Sequence, residues 1–205
     1  HAHIDHSGLI PKLIKKGYSG PVYATRETTE LCSVMLPDSG YIQEMEVERK
    51  NRKLTRAGCA LLTPIYTAED ARKAIESFVP VDYNETLRLN EDISVEFHDA
   101  GHILGSAQVL ISIAEGTENT KVLFSGDIGS LNQPYIDDPT IVDQADIIIM
   151  ETTYGNRVRE GKNNRLELLA EAINDAYSKG GKIIIPAFAV ERTQDLLYYL
   201  NQLQI

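Results

Sequence analysis

The sequence of 205 residues is 42% hydrophobic and 24% charged, which suits a globular protein of one large domain, or of one domain and part of another. Its formal net charge of −10 argues against a broad basic face for nucleic acid, but divalent cations could supply local positive charge for such a substrate. No apolar run approaches the roughly 18 residues that span a bilayer, so we expect no membrane segment. The two cysteines, Cys32 and Cys59, lack a Cys-x-x-Cys pattern and are interpreted as reduced thiols of a cytosolic protein rather than a disulfide.

The first part of the chain predicts two helices around one short strand. Residues 9–14 have apolar positions at helical spacing, and residues 21–24 read as a strand. Thr25 is a suitable N-cap for a helix through residue 36. Residues 37–40 (Pro-Asp-Ser-Gly) are expected to end that helix.

A charged stretch and a helix start follow. Residues 41–57 are helix-permissive and rich in both signs of charge, which favours a solvated helix face over a binding patch. Residues 67–70 (Thr-Ala-Glu-Asp) match a capping box that precedes apolar positions at helical spacing.

The middle of the chain predicts a sheet. Residues 93–97, 109–113 and 122–124 form consecutive antiparallel strands of a half-buried sheet, with residues 115–119 as a turn. Residues 145–150 are continuously apolar, which indicates a strand buried on both faces.

The last part alternates helix and strand. Residues 165–178 predict an amphipathic helix that Gly180 and Gly181 end, residues 182–186 a buried strand, and residues 191–203 another helix. Helices and sheets in this order indicate a layered α/β fold.

Three histidines and an aspartate open the chain, at His1, His3, Asp5 and His6. Imidazole and carboxylate are the ligands of hydrolytic zinc sites. If the segment leaves a strand, His1 and His3 point the same way, and Asp5 and His6 can face a second ion after the chain bends. The alternative, surface histidines or the remnant of a purification tag, does not explain the interleaved Asp5.

Two more stretches carry candidate ligands. His98 and His102 are four residues apart, but they lie at a strand end with nearby glycines, so we favour His102 as the single ligand. Asp127 follows an apolar strand between glycines, where a carboxylate can bridge two cations or simply cap a turn. With two other metal-like segments present, we favour the bridge.

Five segments in order resemble one family. Residues 1–6 (His-Ala-His-Ile-Asp-His), 100–106 (Ala-Gly-His-Ile-Leu-Gly-Ser) and 125–127 (Ser-Gly-Asp) resemble the successive metal motifs of the metallo-β-lactamase superfamily. Residues 151–155 (Glu-Thr-Thr-Tyr-Gly) and 185–194 resemble the start of the β-CASP domain, which marks the nucleic-acid-processing branch. The form of residues 151–155 is similar to the RNA-cleaving members and their bacterial and archaeal relatives.

The resemblance implies a zinc-dependent phosphodiesterase that cleaves RNA, by an endonucleolytic route, with two zinc ions per full-length chain. The implied ligands are His1, His3 and His102 for the first zinc, Asp5 and His6 for the second, and Asp127 as the bridge. A water between the metals would attack phosphorus in line, with Asp5 orienting it or taking its proton. Glu151 matches an acidic residue that orients a downstream histidine at the leaving group.

The resemblance also implies the architecture, a partial metallo-β-lactamase αβ/βα sandwich followed by the start of an α/β β-CASP domain. We expect the first domain, without its N-terminal strands, at residues 1–155 and the beginning of the β-CASP domain at residues 156–205. The family has strands before the first motif and two later histidines, so the chain reads as an excerpt, and residues 1–205 alone are expected to lack nuclease activity.

Two alternatives stay open. Another hydrolase of the same fold, such as a lactonase or glyoxalase, would share the metal motifs but would not need the segments that contain Glu151 and Pro186. A non-catalytic scaffold in an RNA-processing complex could lose ligands freely, whereas this chain retains all six expected ligand types. We expect the protein to bind RNA, to have no membrane association and to be located in the cytoplasm. The sequence does not decide the oligomeric state, and a homodimer is one of the options.

Overall fold

The computed structural model describes residues 1–157 and 164–203. The chain divides into two compact units, His1–Glu151 and Thr152–Ile205. The helices described in the first unit are α1 (Ile4–Ser7), α2 (Ile10–Lys15), α3 (Arg26–Arg56) and α4 (Ala68–Ile75). Its described strands are β1 (Val22–Thr25), β2 (Phe78–Val81), β3 (Leu87–Arg88), β4 (Ile93–Asp99), β5 (Ala107–Glu115), β6 (Glu118–Phe124) and β7 (Ile147–Ile149). The helices described in the second unit are α5 (Arg165–Ser178) and α6 (Arg192–Gln202).

The strands of the first unit form two sheets. Strands β1 and β2 pair in parallel, and the larger sheet has the order β3-β4-β5-β6-β7. The predicted run of antiparallel strands is confirmed for β4, β5 and β6, whereas β7 joins β6 in parallel. Glu115 pairs with Glu118, so the hairpin turn is tighter than predicted, and Gly116 has a φ of +63° as such turns require. Sheets and helices together confirm the α/β class.

The prediction that Pro37 ends a helix is wrong, because α3 continues through it for 31 residues. A proline inside a helix removes one backbone hydrogen bond and typically costs about 3 kcal/mol. Packing outweighs that cost here, since Leu36 and Cys32 on neighbouring turns are both 0% exposed. Thr25 is the N-cap, as predicted, and its Oγ1 accepts the Thr28 N–H at 3.3 Å.

Gly40 lies where α3 passes the start of α4. It allows the two helices to pack closely and does not end α3. A Cβ at Gly40 would lie 2.7 Å from the Ala68 nitrogen and 2.7 Å from the Thr67 carbonyl carbon. Only glycine therefore allows this close approach. At the same end of α4, Thr67 and Asp70 form the predicted capping box, and Asp70 accepts a 2.6 Å bond from Lys15 of α2.

The helical core of the first unit reaches the start of the chain. Its buried hydrophobic members are Ala2, Ala24, Cys32, Leu36, Tyr66, Ala71 and Phe78. Because Ala2 belongs to this core at 0% exposure, the residues on either side of it are held against the body of the unit.

The second half of α3 has the predicted solvated character. Ion pairs one turn apart join Lys50 to Glu46 and Arg52 to Glu48, and all four side chains are more than half exposed. Within the described chain, no helix is both long enough and apolar enough to cross a bilayer.

Two predictions of buried strands are wrong. Ile147, Ile148 and Ile149 do form β7, but they are 50%, 57% and 52% exposed, because β7 is the outermost strand of the described sheet. Residues 182–186 form no strand among the described residues, and Ile184 is 91% exposed. The second unit otherwise follows prediction, since α5 has the predicted bounds and α6 lies within residues 191–203.

Candidate metal centre

The first two candidate ligands converge although they do not leave a regular strand. Helix α1 begins directly after His3, and His1 Nε2 lies 2.9 Å from His3 Nδ1. Ser7 holds this turn in place, because its Oγ donates to the carbonyls of Ala2 at 2.9 Å and His3 at 3.0 Å. The buried Ala2 between the two histidines anchors the turn to the core.

The loop after β4 presents His102. Ser106 Oγ accepts the His102 N–H at 2.9 Å, which closes the loop on itself. The hydroxyls of Thr25 and Thr28 both donate to the Gly105 carbonyl, at 2.7 Å and 2.8 Å. The start of α3 therefore fixes the position of this loop, and Gly105 has the φ of +78° that favours glycine.

The loop after β6 presents Asp127, and a backbone contact joins it to the His102 loop. Gly129 donates its N–H to the Ala100 carbonyl at 2.8 Å. A Cβ at Gly129 would lie only 1.4 Å from the Gly101 oxygen, so no other residue fits this crossing without displacing a loop. Gly101 itself has a φ of +60°. The two ligand loops are thus placed relative to each other by direct backbone packing.

Four of the predicted ligands form one cluster. One ligand atom each from His1, His3, His102 and Asp127 lies within 4.8 Å of all the others. Asp127 Oδ2 is 3.5 Å from His1 Nε2 and 3.6 Å from His102 Nε2, and His102 Nε2 is 3.4 Å from His3 Nδ1. Donors on a tetrahedral metal with bonds of about 2.1 Å are about 3.4 Å apart, so the spacing fits such an ion.

The second oxygen of Asp127 faces another predicted ligand. His6 Nε2 lies 3.3 Å from Asp127 Oδ1 and 3.6 Å from Asp5 Oδ2. The Asp127 carboxylate therefore lies between the histidines of the four-ligand cluster and the pair of His6 and Asp5. The Asp5 side chain is 77% exposed, which leaves it open to water and to a substrate.

The other two singled-out residues lie outside the four-ligand cluster. His98 Nδ1 contacts Asn84 Oδ1 at 2.8 Å, on the opposite side of β4 from the neighbouring Asp99. Glu151 Oε1 accepts the Ile128 N–H at 2.9 Å, next to Asp127 in the chain. Glu151 thus contacts the loop that carries Asp127.

Burial favours the form of the histidines that binds metal. Desolvation by burial lowers the pKa of His3 and also that of His102, where the nearby His3 lowers it further. The charges of Asp127 and Glu151 oppose the shift at His102. A lowered pKa keeps each imidazole neutral at pH 7, with a lone pair available for a metal ion.

Several supporting residues were not identified from the sequence. Ser106, Thr28 and Gly129 orient the ligand loops, yet each is a common residue type with no chemistry of its own. Ser106 was signalled only as the last residue of the motif at residues 100–106. Thr28 acts across 77 residues of sequence, which no local pattern reveals.

Comparison with known proteins identifies relatives along almost the whole chain, although no family model matches. A ribonuclease of Thermus thermophilus, TTHA0252, is 36% identical over 98% of this chain and 41% of its own length. Transcription termination factor FttA of Methanocaldococcus jannaschii is 32% identical over 98% of this chain and 30% of its own. The probable RNase MJ4 of the same organism is 32% identical over 100% of this chain and 44% of its own.

The chain therefore spans less than half the length of these curated relatives. Among solved structures, a B3 metallo-β-lactamase with an active-site glutamic acid matches 98% of this chain and 63% of its own at 15% identity, with a TM-score of 0.37. These relatives support the resemblance of the ordered motifs to the β-CASP branch of the metallo-β-lactamase superfamily.

Proposed function

We propose that the full-length protein is a zinc-dependent phosphodiesterase that cleaves RNA endonucleolytically. The observation that carries the proposal is the position of the Asp127 carboxylate between His1 and His102 on one side and His6 on the other. Three separate motifs thus meet at one carboxylate. Relatives named ribonuclease or RNase match 98% of the chain or more, which favours RNA over other substrates of this fold.

We propose two zinc ions at this centre. The donors are imidazole nitrogens and carboxylate oxygens, a set that suits zinc better than magnesium or calcium, which prefer oxygen alone. His1, His3 and His102 would hold the first ion, Asp5 and His6 the second, and Asp127 both. When bound, the zinc ions supply Lewis acidity at the phosphate.

The remaining roles belong to two carboxylates of this chain. Asp5 is exposed and lies beside His6, so it can orient the attacking water or accept its proton. Glu151 matches the family's acidic residue that orients a histidine at the leaving group. Asp5 is therefore the proposed catalytic residue, and Glu151 is a proposed positioning residue.

The division of the chain is also a proposal. We propose a metallo-β-lactamase domain at residues 1–155 and the beginning of a β-CASP domain at residues 156–205, of which residues 158–163 and 204–205 lie outside the described structure. We further propose a cytoplasmic location, in keeping with the free thiols of Cys32 and Cys59.

The test uses the full-length protein with labelled single-stranded RNA. Wild-type protein should bind about two zinc ions per chain and cleave the RNA internally. Asp127→Asn should lower the zinc content at both positions and slow cleavage by about 1,000-fold, since metal stabilisation of a transition state is worth several kcal/mol. The exposed Asp143→Asn is the matched control and should behave as wild type.

Substrate competition separates the proposal from its alternatives. Lactones and glutathione thioesters are offered to the same preparation under the same conditions. Rapid hydrolysis of either one, with the RNA left intact, would replace the nuclease with a hydrolase of lactonase or glyoxalase type. Full zinc content without turnover of any of these substrates would instead support a scaffold.

A further inference from the structure

We propose that Glu151 is a positioning residue for the metal centre, which holds the Asp127 loop in its ligating conformation. This inference rests on the metal site of the proposed function, but it assigns Glu151 a task separate from any leaving-group histidine. The direct observation is a hydrogen bond of 2.9 Å, in which the Ile128 N–H donates to Glu151 Oε1. Ile128 is the residue that follows Asp127.

A second contact joins Glu151 to the other side of the same loop. The Glu151 N–H donates to Ser125 Oγ at 3.1 Å, and the Ser125 N–H donates to the Ile149 carbonyl at 2.9 Å. Ser125 is 2% exposed, so these bonds are shielded from water. Asp127 therefore lies between two residues that both bind Glu151. Ser125 binds the main-chain N–H of Glu151, and Ile128 binds its carboxylate.

The loop needs such support because of its own composition. Gly126 precedes Asp127 with a φ of +55°, and Gly129 follows two residues later, so the segment has few side chains that restrict its backbone. Asp127 must also direct one oxygen to His1 and the other to His6. A carboxylate acceptor forms a strong bond to a backbone N–H, which fixes the peptide next to Asp127.

The Asp127 loop thus has two separate anchors. Gly129 is tied to the His102 loop through Ala100, whereas Ser125 and Ile128 are tied to Glu151. Loss of the Glu151 carboxylate leaves the first anchor intact and releases the peptide of Ile128. We expect weaker metal binding from a protein that still folds.

The test measures zinc affinity of the full-length protein by competition with a chromophoric chelator. Glu151→Ala and Glu151→Leu remove the acceptor and should weaken zinc binding by about 10- to 100-fold, the usual effect of losing a residue that orients a ligand. Glu151→Gln keeps an oxygen for the Ile128 N–H and should remain within about 3-fold of wild type. The exposed Glu115→Ala is the control and should not change the affinity.

Two further readouts separate this role from others. Circular dichroism checks that each variant is folded, and the absorption of the cobalt-substituted protein reports the ligand geometry directly. Wild-type zinc affinity and an unchanged cobalt spectrum in both Glu151→Ala and Glu151→Leu would overturn the proposal, even if RNA cleavage were lost. An equally weak Glu151→Gln would also overturn it, because charge rather than the hydrogen bond would then matter.

The outcome does not depend on the identity of the substrate, since no arm of the zinc measurement uses RNA. If wild-type protein binds zinc but leaves RNA intact, the nuclease proposal fails while the role of Glu151 is still decided. If wild-type protein binds no zinc, both proposals fail.

Discussion

Replacing Gly129 with alanine tests the backbone crossing that places the two ligand loops. The new Cβ would lie 1.4 Å from the Gly101 oxygen and 2.7 Å from the His102 nitrogen. The loops must separate by about 2 Å to restore ordinary contact. That movement breaks the 2.8 Å bond from the Gly129 N–H to the Ala100 carbonyl and moves His102 away from Asp127.

The expected effect is large for both stability and metal binding. Forcing a methyl group into a packed site costs up to about 3 kcal/mol, and the lost buried hydrogen bond costs about 1 kcal/mol more. We therefore expect Gly129→Ala to lower the free energy of unfolding by about 3–4 kcal/mol. Zinc affinity should fall as well, because metal sites tolerate changes in ligand distance of only about 0.2 Å.

The assay is urea unfolding of metal-free protein, paired with chelator competition for zinc. Gly116→Ala is the matched control, because nothing lies within 4 Å of its added Cβ and only its φ of +63° opposes the change. It should cost about 1–2 kcal/mol and leave zinc affinity unchanged. Equal losses of stability in the two variants, with zinc affinity retained in both, would refute the role of the crossing.

Two further predictions concern the helices behind the site. Asp70→Asn should destabilise metal-free protein by about 1 kcal/mol at pH 6, since the bond from Lys15 is partly solvent-screened. That bond is the main reason why the pKa of Asp70 is lowered from 3.8 to about 2, so the contribution is present above pH 4 and is lost as the pH falls toward 2. Urea titrations of the two proteins should converge over that range, and a constant difference would contradict the assignment. Thr25→Val should lower the free energy of unfolding by about 2 kcal/mol and Thr28→Val by about 1 kcal/mol, measured by thermal or urea unfolding. Both hydroxyls bind the Gly105 carbonyl, but only Thr25 also caps α3. Equal losses of stability would argue against the cap.

The candidate ligands were accessible from the sequence because their chemistry lies in the residue types. His1, His3 and His6 stand within six residues, and few roles other than metal binding explain them together with Asp5. Helix starts were predictable for the same reason, since the hydroxyl of Thr25 bonds within its own turn. Such features depend on interactions between residues close in sequence, so the sequence alone can predict them.

The misjudged features depend on distant neighbours. Pro37 has a strong local tendency to end a helix, but the burial of Leu36 and the passage of Gly40 beside α4 come from residues far along the chain. The apolar run 145–150 likewise indicates a preference for burial, but it does not show whether a further strand packs beside it. The contact of Thr28 with Gly105 is invisible for the same reason.

The separation of the ligands along the chain has a consequence for folding. His3 and His102 are 99 residues apart, so an ion bound to both closes a loop as a disulfide would. Closing a loop of about 100 residues removes on the order of 4–5 kcal/mol of entropy from the unfolded chain. The unfolded chain still keeps its histidine-rich start, however, and can capture metal there, which reduces the net gain. The stabilisation that a metal ion gives by closing this loop therefore depends on the distant ligands, His102 and Asp127, rather than on the segment richest in histidine.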